Sequence, residues 1–247
     1  RSIEGSNMTE LLHMRDNYLR EFDAVVEAAG EDFVVLDRTA FYPEGGGQST
    51  DHGVLSDSTR TVDVLEVRKV EGQIRHKLDG PPFNVGSKIH GKIDWERRYE
   101  NMRFHTCQHV LSRYLQLQYN VETKGNNITP GKSRADYTPL ESFDDAMKRA
   151  VEAGVNEILD MNHEVEIKFM PRAEAIAFLK ERDYQTRYLE MVPESVQNFR
   201  VLIIGDYDAA SCAGTHVKNT SEIGHIQIGK SKNVGAGVRR IYFKLTE

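Results

Sequence analysis

Two short stretches, far apart in the chain, carry residue types that bind metal ions. Arg103-Phe-His-Thr-Cys-Gln-His-Val-Leu111 sets His105 and His109 four residues apart, and Ser211-Cys-Ala-Gly-Thr-His-Val217 sets Cys212 and His216 four apart. On a helix, residues at that spacing project from one face, one turn apart. Imidazoles and a thiolate suit a borderline-soft divalent ion, above all zinc. Either pair alone is a weak signal, because nine histidines fall four apart by accident often enough. Together they make one donor set of three or four: His105, His109, Cys212 and His216. That pattern points to metal binding without naming a reaction.

The rest of the composition bounds what such a site can serve. The chain has 247 residues, enough for one large domain or two modest ones. Residues 1–7 read as an expression remnant ahead of a natural start at Met8 and are set aside. No apolar run approaches a membrane span and no signal pattern follows Met8, so a soluble cytoplasmic protein is expected. With only two cysteines a disulfide framework is implausible, which leaves Cys212 for metal. Cys107 falls on the far side of a helix from the histidine pair and reads as buried packing. The net charge of −6 argues against a non-specific nucleic-acid coat. Two basic clusters, Arg97/Arg98/Arg103 and Lys230/Lys232/Arg239/Arg240/Lys244, read singly as solvated faces; flanking the metal motifs, they raise an RNA-binding reading.

The elements that must position these residues follow from periodicity. From Tyr18 to about Trp95 short β-rich runs alternate with Gly and Pro turns. Phe22–Glu27 and Asp32–Asp37 form a hairpin signal, Thr61–Arg68 alternates as a half-buried strand, and Ile74–Leu78 and Ser87–Asp94 follow. Such a series suggests a small barrel or curled sheet. Within it Gly45-Gly46-Gly47-Gln48 allows positive φ and close backbone approach, but lacks the lysine and following helix of a phosphate loop. Near Trp95 the period changes to a helix reaching about Leu117, and the domain boundary is placed just before it. That gives residues 8–94 and 95–247. A polar, Gly-rich passage over residues 123–133 leads to Arg134–Tyr137. Ser142 is the expected N-cap of a helix to about Met161, with Phe143, Met147, Val151, Ile158 and Leu159 as its stripe. Val165–Phe169 reads as a strand, Pro171 opens a short helix, and Val201–Ile204, Ile223–Ile228 and Val238–Phe243 read as strands. The class is therefore α+β: a small N-terminal β-barrel, then helices packed on an antiparallel sheet.

His105-Thr-Cys-Gln-His109-Val-Leu and Cys212-Ala-Gly-Thr-His216-Val-Lys-Asn-Thr-Ser-Glu-Ile-Gly224 resemble the paired motifs of the alanyl-tRNA synthetase editing domain and its freestanding relatives, the AlaX proteins. Gly235-Ala-Gly-Val-Arg-Arg-Ile-Tyr-Phe243 extends the resemblance, and Gly45-Gly-Gly-Gln48 in an N-terminal β domain resembles the medium-length AlaX type. The match spans essentially Met8 to Glu247. No aminoacylation core fits in the length, so the resemblance implies a freestanding protein. Ala213 stands where many relatives have glycine, and Cys107 where alanine is frequent.

The resemblance implies a hydrolase that removes serine, and also glycine, from mischarged tRNA(Ala), with Zn2+ held by His105, His109, Cys212 and His216. Three ligands and an open position would let the ion act on the ester or on water; four would close it into a structural role. A second hydrolytic site is useful because an apolar pocket rejects an added hydroxyl poorly. Recognition of serine calls for a buried polar group that alanine would leave unpaired. Thr123 and Gln48 are the candidates, with Thr106 a further one. Gly45, Gly46, Gly47, Arg239 and Arg240 are expected to contact the substrate. Asp136 and Asp206 read as surface or capping carboxylates. Two rivals stand beside this reading: the same chemistry on Ser-tRNA(Thr), whose synthetase editing domain shares the motifs, and a non-catalytic tRNA-binding module with structural zinc.

Overall fold

The computed structural model describes residues 8–186, 189 and 192–246; the remnant expected at residues 1–7 lies outside the described residues. The chain divides into two compact units, Arg1–Tyr99 and Glu100–Glu247. No helix among the described residues is long and apolar enough to cross a membrane.

The first unit holds β1 (Glu10–Leu11), β2 (Glu21–Ala29), β3 (Phe33–Leu36), β4 (Arg38–Thr39), β5 (Gly53–Ser56), β6 (Thr61–Val70), β7 (Gln73–Leu78) and β8 (Lys88–Ile93). Six of them close a barrel in the order β2-β3-β7-β6-β5-β8, so the expected small barrel is present. Phe22, Ala24 and Val26 alternate inward on β2, and Ile89 and Ile93 do so on β8, around a core with Leu36, Phe41, Leu55 and Phe83. The alternation read over Thr61–Arg68 breaks in the middle. Leu65 points outward in step with Thr61 and Asp63, and a register shift between Val64 and Glu66 returns Val67 to the interior. His76 is a satisfied core histidine: Nδ1 lies 3.3 Å from the Val34 carbonyl and Nε2 2.8 Å from the Thr39 hydroxyl.

Arg98 overturns the solvated-face reading of the first basic cluster. Its guanidinium is wholly buried against the equally buried Asp51 carboxylate, and donates to the carbonyls of Asn17 (2.9 Å) and Ala40 (2.6 Å) as well. Asp51 in turn accepts from the Tyr42 backbone N–H at 2.7 Å. Arg97 donates to the Thr50 carbonyl at 2.8 Å. A cationic spacing pattern looks the same whether it faces water or a buried carboxylate; only the segment that brings Asp51 beneath Arg98 decides.

The remaining elements are α1 (Trp95–Tyr119), β9 (Glu122–Asn127), β10 (Ser133–Thr138), α2 (Asp145–Leu159), β11 (Val165–Pro171), α3 (Arg172–Glu181), β12 (Asn198–Ile204), β13 (Asp208–Ser211), β14 (His225–Gly235) and β15 (Val238–Thr246). They form a four-stranded antiparallel sheet, β14-β15-β10-β9, and a three-stranded one, β11-β12-β13. Phe104 of α1 meets Phe243 of β15 with ring centroids 5.8 Å apart, joining helix to sheet. The Gly-rich passage, which reads as a connection, supplies β9 and most of its pairing with β10. Its strand character comes from that pairing, since few of its side chains are apolar. Ser142 does not cap α2. The helix starts later, and the Asp144 carboxylate accepts from the Met147 N–H at 2.8 Å. Its buried stripe is Val151, Val155 and Leu159.

Candidate metal centre

Both histidines of the first motif come from α1, whose regular hydrogen bonding places His105 and His109 one turn apart, ring centroids 5.3 Å apart. Cys212 and His216 lie on the loop that leaves β13. That loop is tied at several points. The Cys212 N–H donates to the Arg200 carbonyl at 3.2 Å, and Arg200 Nη1 donates to the Cys212 carbonyl at 2.6 Å. Past His216 a capping box closes on Asn219 and Glu222, where a short 3-10 turn begins. Arg103 reaches across from α1 to donate twice to the Ile223 carbonyl, at 3.1 and 2.7 Å. Gly224 sits next, at φ +75°; a Cβ there would come within 2.2 Å of the Thr246 carbonyl oxygen. Only glycine permits the chain to pass so close.

The loop and the helix bring all four side chains together. One ligand atom from each of His105, His109, Cys212 and His216 lies within 4.8 Å of every other. Cys212 Sγ is 3.7 Å from His105 Nε2 and 3.3 Å from His216 Nε2. Tetrahedral zinc, with bonds of about 2.0–2.3 Å, spaces its donors by roughly 3.3–3.7 Å, and the two Cys212 distances fall in that range. His105 and His216 are buried, and the Gly214 N–H donates to the Cys212 sulfur at 3.4 Å. Burial alone would push the Cys212 thiol up, but the His105 and His216 imidazoles hold it well below its ordinary value. Burial pushes His216 down to about 3. It works the same way on His109, where Asp208 and Cys212 override it and carry the group up to about 10. The Cys212 thiolate and the neutral His216 imidazole are in the protonation state metal ligands require, whereas His109 would release its proton on binding an ion.

Two further groups orient the set. Thr106 donates its hydroxyl to the Met102 carbonyl at 2.9 Å, leaving Oγ1 to accept from the Val217 N–H at 3.3 Å and from His216 Nδ1 at 3.2 Å. That arrangement puts the His216 proton on Nδ1 and its lone pair on Nε2, toward Cys212. Asp208 Oδ2 stands 3.8 Å from His109 Nδ1, within ion-pair reach. Asp208 carries no signal in the sequence. Four positions before Cys212 on a strand end, it obeys no motif spacing and is found only through the fold.

The other expected residues fall in different places. Thr123 is buried on β9 directly opposite Tyr137, so the two share a face of the sheet. The Tyr137 hydroxyl lies 3.1 Å from Ser112 Oγ of α1, and Ser112 accepts from Gln108 Nε2 at 2.6 Å. Asn126 completes this polar chain by donating to Gln108 Oε1 at 3.2 Å. Gly45–Gln48 belongs to the first unit. Gly46 and Gly47 have φ of +57° and +83°, and Gly45 and Gln48 exchange backbone hydrogen bonds of 3.3 and 2.9 Å across them. Gln48 is buried. Arg239 and Arg240 are adjacent on β15 and point to opposite faces: Arg239 donates to the Glu141 carbonyl, and Arg240 holds Asp136 by two contacts of 2.7 and 2.8 Å. Asp136 is thus an ion-pair partner. Asp206 is a surface residue, its side chain 99% exposed. Cys107 is buried, as expected of packing.

Comparison with known proteins identifies relatives over nearly the whole chain. Residues 6–97 match the family described as tRNA synthetases class II (A), and residues 199–242, which include Cys212 and His216, match the threonyl and alanyl tRNA synthetase second additional domain. The alanyl-tRNA editing protein AlaX-M of Methanosarcina acetivorans is 38% identical over 97% of this chain and 100% of its own length. That of Saccharolobus solfataricus is 36% identical over 96% of this chain and 98% of its own. The alanine–tRNA ligase of Pyrococcus furiosus is 39% identical over 97% of this chain, which spans 26% of the ligase. With near-complete coverage in both directions and the paired His/His and Cys/His motifs gathered in space, the chain belongs to the AlaX-M family of alanyl-tRNA editing proteins.

Proposed function

We propose that this protein is a trans-editing hydrolase that cleaves the ester of serine, and of glycine, on mischarged tRNA(Ala), in the cytoplasm. The observation that carries the reading is the convergence of four ligand atoms within 4.8 Å, in a chain whose full-length relatives are named for alanyl-tRNA editing. His105, His109, Cys212 and His216 would hold a zinc ion. With three of them bound and the fourth position open, such an ion would supply Lewis-acid polarisation of the ester carbonyl; with all four bound it would be structural. The protein's own groups do the rest. Thr106 keeps the proton of His216 on Nδ1, and Asp208 fixes the ring of His109; both act through the ligands and are positioning residues. Thr123 would pair with the serine hydroxyl, a partner that alanine lacks. Serine would gain a hydrogen bond that alanine cannot make, and this asymmetry is how a hydrolytic site spares the cognate ester. Gly45, Gly46 and Gly47 would offer backbone to the substrate, with Gln48 as a further polar contact, and Arg239 and Arg240 would lie in the RNA-facing region.

A threonine-system reading has one observation in its favour, since the family matched over residues 199–242 covers threonyl as well as alanyl enzymes. The test is deacylation of Ser-tRNA(Ala), Ala-tRNA(Ala) and Ser-tRNA(Thr), each with and without a zinc chelator. Rapid, chelator-sensitive loss of serine from tRNA(Ala) alone is expected. Loss from tRNA(Thr) alone would move the assignment to the threonine system, and no hydrolysis by zinc-loaded protein would leave a binding module.

A further inference from the structure

The outer face of the four-stranded sheet carries an array of positive charge that the metal centre does not use. Three ammonium groups converge on one aromatic ring: Lys132, Lys230 and Lys232 place Nζ at 4.9, 5.4 and 5.9 Å from the Tyr242 centroid. The ring's negative face attracts each of them and holds together groups that repel one another. Cross-strand register extends the array. Arg134 lies opposite Tyr242, Lys232 opposite Arg240, and Lys244 opposite Gln227, all on the face away from the buried Ile241 and Phe243. Successive same-face residues of β15 — Arg240, Tyr242 and Lys244 — are spaced by about 7 Å. Asp136, on the same face, is already taken by Arg240 and Arg134. Lys132, Lys230, Lys232 and Lys244 are exposed, and among the described residues none has a carboxylate partner.

We infer that this lysine-caged tyrosine face docks the phosphate backbone of an RNA duplex, the acceptor stem of the tRNA whose end is edited. The inference rests on the proposed function for the identity of the RNA. Three features select a duplex backbone over a small anion. The surface is an open sheet face, the charges lie in rows along adjacent strands, and among the described residues no carboxylate pairs with the lysines. It also reassigns the work of the basic C-terminal segment. The Asp136 carboxylate and the Glu141 carbonyl engage Arg240 and Arg239, whereas the lysines around Tyr242 remain available to phosphate.

The experiment compares the wild type with the triple variant Lys132→Gln/Lys230→Gln/Lys232→Gln, using uncharged tRNA(Ala) over a salt series for binding and the seryl ester of adenosine for hydrolysis. The triple variant should bind tRNA roughly tenfold or more weakly. The slope of log K against log salt should shrink by about 2–3, as expected for three lost phosphate contacts. Hydrolysis of the seryl ester, which carries no stem, should be unchanged. Tyr242→Leu should weaken tRNA binding about two- to fivefold by loosening the cage. An unchanged affinity and salt slope in the triple variant would overturn the inference. So would lost affinity for anionic phospholipid vesicles with tRNA binding intact, which would make the face a membrane contact. Because the binding arm uses uncharged tRNA, a wild type that hydrolyses no seryl ester would overturn the proposed activity and leave this test standing.

Discussion

Each unit of the molecule buries a polar cluster, and the two clusters are built on opposite principles. In the barrel unit, Arg98 and Asp51 neutralise each other, and their spare valences go to backbone groups of Asn17, Ala40 and Tyr42. In the second unit, His105, His109, Cys212 and His216 turn lone pairs toward a common centre, while Thr106, Asp208 and the Gly214 N–H engage them from outside. The first cluster is complete as protein. The second gathers four donors that could hold a metal ion, a role the first cluster has no lone pairs left to fill. Burial therefore does not distinguish a structural cluster from a functional one; the direction in which the valences point does.

The contrast can be broken from either side. Asp51→Ala strands a buried guanidinium and should cost about 3–5 kcal/mol of stability in denaturant unfolding, whereas replacing Arg98 and Asp51 together by apolar residues of similar volume should cost far less. A loss no larger than about 1 kcal/mol for Asp51→Ala would mean that water reaches Arg98. His109→Ala should do the reverse. Bound zinc and hydrolysis of Ser-tRNA(Ala) should fall, the latter by roughly a hundredfold or more, while far-UV circular dichroism and the unfolding midpoint of the barrel hold. Collapse of both units together would make the metal structural.

Acid sharpens the comparison within the barrel. Burial lowers His76 from 6.5 to about 4, so its neutral form is the folded one. Its contribution is fully present above the unfolded value near 6.5 and is lost as pH falls toward the folded value near 4. The decline totals about 3 kcal/mol. Unfolding free energies measured from pH 7 to pH 4 should show it, and His76→Gln should remove that part of the slope. The smallest expected effect is Thr106→Val, which removes the acceptor for His216 Nδ1 and the Val217 N–H. Zinc affinity, followed by competition with a chelating dye, should fall about tenfold. An unchanged affinity would separate Thr106 from the metal set.

The four ligands are legible in the amino-acid sequence alone, since helical spacing and side-chain chemistry are local properties and the two motifs carry both. The barrel is legible for a related reason: period-two alternation and Gly/Pro turns are written in neighbouring residues. What does not show is everything that depends on a partner distant in sequence. Arg98 reads as a surface charge by its neighbours, and only Asp51 beneath it makes it a buried one. The polar residues of β9 read as a connection, and only pairing with β10 makes them a strand. Ser142 suits a cap by residue type, but only the actual first turn chooses, and that turn is capped by Asp144.

The sequence by itself determined which residues can bind a metal, where the barrel lies, and the family whose motifs these are. Tertiary structure alone decided that Thr106 orients His216, that Asp208 faces His109, and that three lysines gather around Tyr242. The physical reason is that ligand identity and periodicity are carried by side-chain type and short spacing. Orientation, charge pairing and shared faces arise only when strand register and loop closure bring distant residues within a few ångströms.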